Sequence, residues 1–180
     1  QLILENGTTA PGVNQDDSAT ATDILLVAGT ESADTIRIGE LAGAAGAPSR
    51  LNVSYNGKNF VTNWKTRNTT TNQVVFQVRQ IQVVGGAGND RISASVLSEK
   101  FARLNSLPLG VSISGRGGND TLVGSLGGDT LYGNVGNDSV VGRGGADFIN
   151  GGPGYDVLSG GAGIDTLLGV DGNDQITDVV

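Results

Sequence analysis

The chain has 180 residues, 30 of them glycine, and contains neither histidine nor cysteine. Those absences exclude the usual zinc sites, Cys–His and Ser–His nucleophile pairs, c-type haem attachment and disulfide stapling. A formal charge of −7, from 18 acidic and 11 basic residues, argues against nucleic acid and anionic membrane surfaces as partners.

The sequence opens at Gln1 and has no methionine, so it is expected to be an excerpt from a longer protein or a processed form. Residues 1–22 are polar apart from Leu2-Ile3-Leu4 and read as a leader or arm, either disordered or pairing with a neighbour. The longest run of large apolar residues, Ile24-Leu25-Leu26-Val27, is far too short for a membrane span. Strands are predicted over 24–28, 35–39, 51–55, 59–64 and 74–84, with Asn56-Gly57 as a hairpin turn. Residues 23–84 thus read as an N-terminal β region that caps the glycine-rich remainder of the chain. Tyr55, Phe60, Trp64 and Phe76 are its core aromatics, or else a patch for stacking carbohydrate. Residues 94–105 place Val96, Leu97, Phe101 and Leu104 at helical spacing, which predicts a short helix inserted beside the stack.

The charge is unevenly placed. Residues 1–114 hold nine acids and nine bases, whereas 115–177 hold eight aspartates, no glutamate and two arginines. The second stretch also has 19 of the 30 glycines. Short aspartate arms beside flexible turns suit a metal cage better than a solvated surface.

Seven nonapeptides, from GRGGNDTLV to GVDGNDQIT, succeed one another over 115–177 without a gap. Positions one and four are always glycine, position six is always aspartate, and position eight is always aliphatic. An eighth unit, GGAGNDRIS, stands at 85–93, and GTESADTIR at 29–37 is a worn ninth.

This pattern resembles the RTX, or haemolysin-type, calcium-binding repeat G-G-x-G-x-D-x-U-x. The resemblance implies an all-β fold, a right-handed parallel β-roll (a β-helix solenoid), in the block 85–180. Matching the motif position by position, it implies that calcium is held by Asp90, Asp120, Asp129, Asp138, Asp147, Asp156, Asp165 and Asp174. The turn residues that go with them are Gly86, Gly88, Gly115, Gly117, Gly124, Gly133, Gly142, Gly144, Gly151, Gly160 and Gly169. The second position departs from glycine at Arg116, Ser125, Asn134, Arg143 and Val170. The family further implies export by a one-step secretion system and folding outside a bacterial cell, where calcium is abundant.

The residues support a physical reading beside that resemblance. A six-residue glycine turn and a three-residue strand make nine, and two such units make an 18-residue coil. Aspartates 18 apart then lie above one another, in one row at Asp120, Asp138, Asp156 and Asp174 and a second at Asp129, Asp147 and Asp165. Stacked carboxylates repel, and a divalent cation between coils reverses the sign. Flexible oxygen cages suit Ca²⁺ rather than Mg²⁺. Five inter-turn sites result, or six if Asp90 joins Asp120 across an insertion at 94–105. Residues 106–114 then form a unit without its aspartate, with Val111 at position six and Ile113 inward. The block should be disordered without calcium.

Three functions are compatible with this pattern. The first is a secreted calcium-folded module serving as a scaffold or surface adhesion element, with a polysaccharide or cell surface as partner. The second is an S-layer, sheath or filament subunit that self-associates through open solenoid ends. The third is the non-catalytic tail of a secreted protease, lipase or epimerase. No HExxH or G-x-S-x-G motif is present, so no catalysis is expected from this chain.

Overall fold

The computed structural model describes residues 2–5, 23–41, 50–62, 66–67, 74–75, 78–97 and 110–179. Every helix or strand among them is a strand. In chain order they are β1 (Leu2–Glu5), β2 (Asp23–Ala28), β3 (Thr35–Leu41), β4 (Arg50–Tyr55), β5 (Lys58–Thr62), β6 (Thr66–Arg67), β7 (Val74–Val75), β8 (Val78–Ala87) and β9 (Arg91–Val96). The repeats supply β10 (Ser112–Gly117), β11 (Thr121–Val123), β12 (Thr130–Val135), β13 (Ser139–Gly144), β14 (Phe148–Pro153), β15 (Val157–Ala162), β16 (Thr166–Asp171) and β17 (Gln175–Val179).

Two sheets dominate, and the chain alternates between them. One has the order β1-β2-β8-β10-β12-β14-β16 and the other β17-β15-β13-β11-β9-β3-β4-β5. From β2 and β3 onward, each coil adds one strand to each sheet, parallel to the strand before it. The architecture is therefore an all-β parallel roll.

A single inward aliphatic per repeat strand explains the core. Position eight stacks on position eight, as Val83, Ile113, Leu131, Ile149 and Leu167 in one sheet and Ile92, Leu122, Val140, Leu158 and Ile176 in the other. Val27 and Ile36 extend both stacks at the N-terminal side. Residues 29–37 are thus a true coil segment in register with the repeats. The boundary expected at residue 84 falls within β8, and β2 and β3 are wound into the same roll as the repeats. The steps between stacked residues are 18 along the repeats, 30 from Ile92 to Leu122 and 56 from Ile36 to Ile92. Both longer steps fall where the chain passes from the second sheet back to the first, between β3 and β8 and between β9 and β10.

The first coils are wider than the repeats. Leu25 with Val27, Ile36 with Ile38, Ile81 with Val83 and Ile92 with Ala94 place two buried apolar residues on each strand. Leu25, Ile81 and Val111 occupy position six, where later coils on that edge carry aspartate. The hairpin β4–β5 pairs antiparallel with β3 and adds buried Leu51 and Val53 to this apolar end. Its turn is the expected Asn56-Gly57, with φ of 46° and 79°, as a two-residue hairpin turn with both central residues left-handed requires.

Several expectations need correction. Most repeat strands run through six residues, positions seven to nine and then one to three, so the turn proper shrinks to positions four to six, whereas β11 keeps the three expected residues, Thr121–Val123. The reason is that positions two and three still pair with the next coil, as Arg116 with Asn134 and Gly117 with Val135. The helix expected from residue 94 does not begin there. Ala94 through Val96 belong to β9, because Ala94 continues the inward alternation set by Ile92. Leu97 follows β9 and is buried, and residues 98–105 of that segment lie outside the described residues, as do Trp64 and Phe76. The arm at Leu2–Glu5 pairs antiparallel with β2 of its own chain. The strand expected over 74–84 divides into β7, which pairs with β6, and β8.

Left-handed backbone falls at positions two and four, not at position one. Non-glycine residues accept it at Arg116, Asn134, Arg143 and Val170, with φ between 75° and 86°. A β-branched side chain is the worst occupant of that region, at a cost on the order of 1–3 kcal/mol. Val170 is 62% exposed, so it recovers little by packing. Val170→Gly is therefore expected to stabilise the calcium-loaded protein by about 1 kcal/mol after glycine's own entropy cost. A thermal melt checks this, and a lowered Tm would contradict the strain argument.

Candidate metal centre

The turns carry the aspartates in two ladders. On one edge the amides of Asp34, Asp90, Asp120, Asp138 and Asp156 donate to Oδ1 of Asp90, Asp120, Asp138, Asp156 and Asp174 respectively, at 2.7–2.9 Å. On the other edge Val111, Asp129 and Asp147 donate to Oδ1 of Asp129, Asp147 and Asp165 at 2.7–2.8 Å. Each carboxylate is thus oriented by the backbone of the coil before it. The two expected rows are present, and the first extends to Asp90 and Asp34.

The second oxygen is what makes the site chemical. Oδ2 of Asp90, Asp120, Asp138, Asp147, Asp156 and Asp165 is buried and accepts no hydrogen bond. Position-one glycine explains how it fits there. A Cβ on Gly85, Gly115, Gly133 or Gly142 would collide with Oδ2 of the aspartate in its own turn. The same Cβ would lie 2.6–2.9 Å from the carbonyl oxygen of the position-one glycine one coil later. Two acceptors therefore converge on one small space with no donor between them. Leaving a buried anionic oxygen unpaired costs several kcal/mol, so the geometry calls for a cation.

The donor set fits a hard ion. Carboxylate and carbonyl oxygens are the ligands of calcium, which tolerates six to eight of them in irregular arrangements. Among the described residues no three acidic side chains converge. Each cation would accordingly draw on one or two carboxylates and on turn carbonyls.

The carboxyls by themselves resist ionisation. Burial raises the carboxyls of Asp90, Asp138 and Asp147 to about 6, with further raising by neighbouring carboxylates and partial opposition from the amide each accepts. Burial also raises Asp120, Asp129 and Asp156, against their hydrogen bonds. Asp34 differs: burial raises it, but bonds from Asn56, Thr30 and Tyr55 outweigh that and hold it below the usual range.

The family model of the RTX calcium-binding nonapeptide repeat (four copies) matches residues 82–95, 114–149 and 141–176. This chain carries RTX calcium-binding repeats. No curated protein and no solved structure matches it. The matched family is a calcium-binding repeat and not a catalytic one.

Within the RTX turns the sequence-derived residues separate into kinds. Asp90, Asp120, Asp138, Asp147, Asp156 and Asp165 present the unpaired Oδ2, while Asp174 stands half-buried on the last described coil. Asp129 is buried but its Oδ2 is taken, since Ser125 N–H donates to it at 2.6 Å. Gly115, Gly124, Gly133, Gly142, Gly151, Gly160 and Gly169 all abut their turn's Oδ2. Gly86 and Gly88 are left-handed and press on the backbone of the preceding coil. Gly117 and Gly144 have room for a side chain, so sterics do not require glycine there.

Sequence reasoning missed some participants. Asn89, Asn119 and Asn137 form an outer ladder, accepting the amides of Asn119, Asn137 and Tyr155 at 2.8–2.9 Å. Their recurrence at position five was the available signal. Tyr55 and Asn56 on Asp34 had no signal, because the hairpin is brought to that turn only by tertiary pairing.

No helix among the described residues is long and apolar enough to cross a membrane.

Proposed function

We propose that this chain is a calcium-folded β-roll module of a secreted bacterial protein, acting as an extracellular scaffold or surface element. The observation that carries the calcium reading is the set of six buried Oδ2 atoms without a donor, in turns whose position-one glycine leaves room beside them. In this reading Asp90, Asp120, Asp138, Asp147, Asp156 and Asp165 supply the carboxylate ligands, and the position-one glycine carbonyls supply neighbouring oxygens. The cation neutralises oxygens that would otherwise repel along each row. Extracellular modules of this chemistry bind calcium at roughly 10⁻⁴–10⁻³ M, far above what a cytosol provides. Export before folding is the consequence of that difference.

Equilibrium dialysis against millimolar calcium is expected to load about six ions per chain, one per unpaired oxygen. Magnesium at equal concentration should not compete, since it needs a tighter octahedron. Absence of saturable calcium binding would overturn the reading.

A further inference from the structure

The two ladders begin in the same way, and not as the later turns do. Asp34 opens the first row and Asp129 the second. In both, the residue at position two carries a hydroxyl. Thr30 donates to Asp34 Oδ2 through its amide at 2.6 Å and its hydroxyl at 3.0 Å. Ser125 donates to Asp129 Oδ2 through its amide at 2.6 Å and to Oδ1 through its hydroxyl at 2.9 Å. The hydroxyls also accept in return, from the amide of Ser32 at 3.3 Å and that of Gly127 at 3.1 Å.

The backbone differs with the chemistry. Gly86, Arg116, Asn134, Arg143, Gly152, Gly161 and Val170, at position two of every other aspartate turn, are left-handed. Thr30 and Ser125 are not. The correlation with the unpaired oxygens is complete from Asp34 to Asp165. Six left-handed turns go with the six unpaired Oδ2 atoms, and the two hydroxyl turns go with the two saturated ones. A change of sign in φ at the second residue is what turns over the peptide that joins it to the first, as between type I and type II turns. One orientation aims an N–H at the carboxylate. The other removes that donor and leaves the oxygen to a cation.

We propose that the residue at position two decides whether an RTX turn of this chain takes calcium, and that Thr30 and Ser125 make the Asp34 and Asp129 turns metal-free caps. The proposal rests on the calcium reading of the other turns and assigns each row its starting point. The placement has a reason in the fold. Above Asp129 the edge is apolar, with Val111, Ile81 and Leu25 at position six, so no carboxylate lies there to share an ion. Above Asp34 stands the β4–β5 hairpin, whose Tyr55 hydroxyl and Asn56 amide occupy Oδ1 at 3.0 and 2.6 Å. A cation in either turn would face a one-sided cage. The hydroxyl and amide take its place there.

Calcium counted by native mass spectrometry tests this on the full chain. Ser125→Gly removes the hydroxyl, permits the left-handed turn, and finds Gly127 already at position four. It is expected to bind one calcium more than the parent, and more weakly than the other turns do, because its cage has a carboxylate on one side only. Thr30→Gly combined with Ser32→Gly is expected to do the same in the other row. Ser125→Thr keeps the hydroxyl and should match the parent count. If both glycine variants bind the parent number or fewer, the proposal is overturned while the calcium reading stands. A parent that binds no calcium overturns the reading beneath it.

Discussion

In EGTA at pH 7.5 the coils from β12 to β17 are expected to lose their β signal and expand, and calcium is expected to restore both cooperatively. Each of these coils has one inward aliphatic per strand, against two in the coils of β2, β3, β8 and β9. The rest of their interior is glycine and carboxylate. Ordering a glycine-rich backbone loses more entropy than ordering any other, and burying charged Oδ2 atoms without a partner adds a penalty at the turns of Asp138, Asp147, Asp156 and Asp165. Calcium removes the penalty and links successive coils, so its binding energy becomes folding energy. The N-terminal coils have an apolar interior made by Leu25, Ile36, Ile38, Ile81, Ile92 and the hairpin's Val53, and should keep slow amide exchange. Circular dichroism, size-exclusion and hydrogen exchange report the three parts of this result. Full protection of residues 133–177 in EGTA at neutral pH would show that the metal is incidental to the fold.

Acid is expected to replace calcium in part. A carboxyl whose folded pKa lies above its unfolded value binds more protons in the folded state between those two values. Its contribution to stability is fully present below about 4 and is lost as pH rises through about 6 for Asp90, Asp138 and Asp147. Asp120, Asp129 and Asp156 act in the same direction. Asp34 acts oppositely, since its pKa is lowered, and its contribution fades as pH falls. Six groups against one leave the metal-free roll more stable at pH 4.5 than at pH 7.5. Protein stripped of metal and titrated downward should regain β signal across the interval near 6. The isoelectric point of 4.4 lies close by, so light scattering must accompany the titration. Recovery of β signal only together with scattering, or none down to pH 4.5, would contradict the raised carboxyls. Calcium affinity should fall over the same interval as protons compete for the oxygens.

Much of the roll was legible because the repeat is local. Glycine at positions one and four, aspartate at six and an aliphatic at eight recur every nine residues, and a period of nine with alternating sheets leaves one way to stack them. Asp120 above Asp138 and Leu122 above Val140 come from counting alone. Val111 at a sixth position and Ile113 inward came from the same count carried across an insertion. The strand length did not, because pairing through positions two and three depends on φ values that four non-glycine residues adopt against their own preference.

Features outside the period needed the fold. Leu25 and Ile81 share Val111's place on the second edge, yet 56 residues separate each N-terminal coil strand from the next one in its sheet, which hides the phase. Tyr55 and Asn56 reach Asp34 only because β4 pairs with β3 beside that turn. Ser125 reads in sequence as a lapse from glycine, and the structure makes it a donor to Asp129. The sequence by itself determined the roll, its two aspartate rows and the cation class they suit, since those depend on residue type at fixed spacing. Tertiary structure alone decided where each row begins, because that depends on which donors the neighbouring coil and hairpin bring to an oxygen.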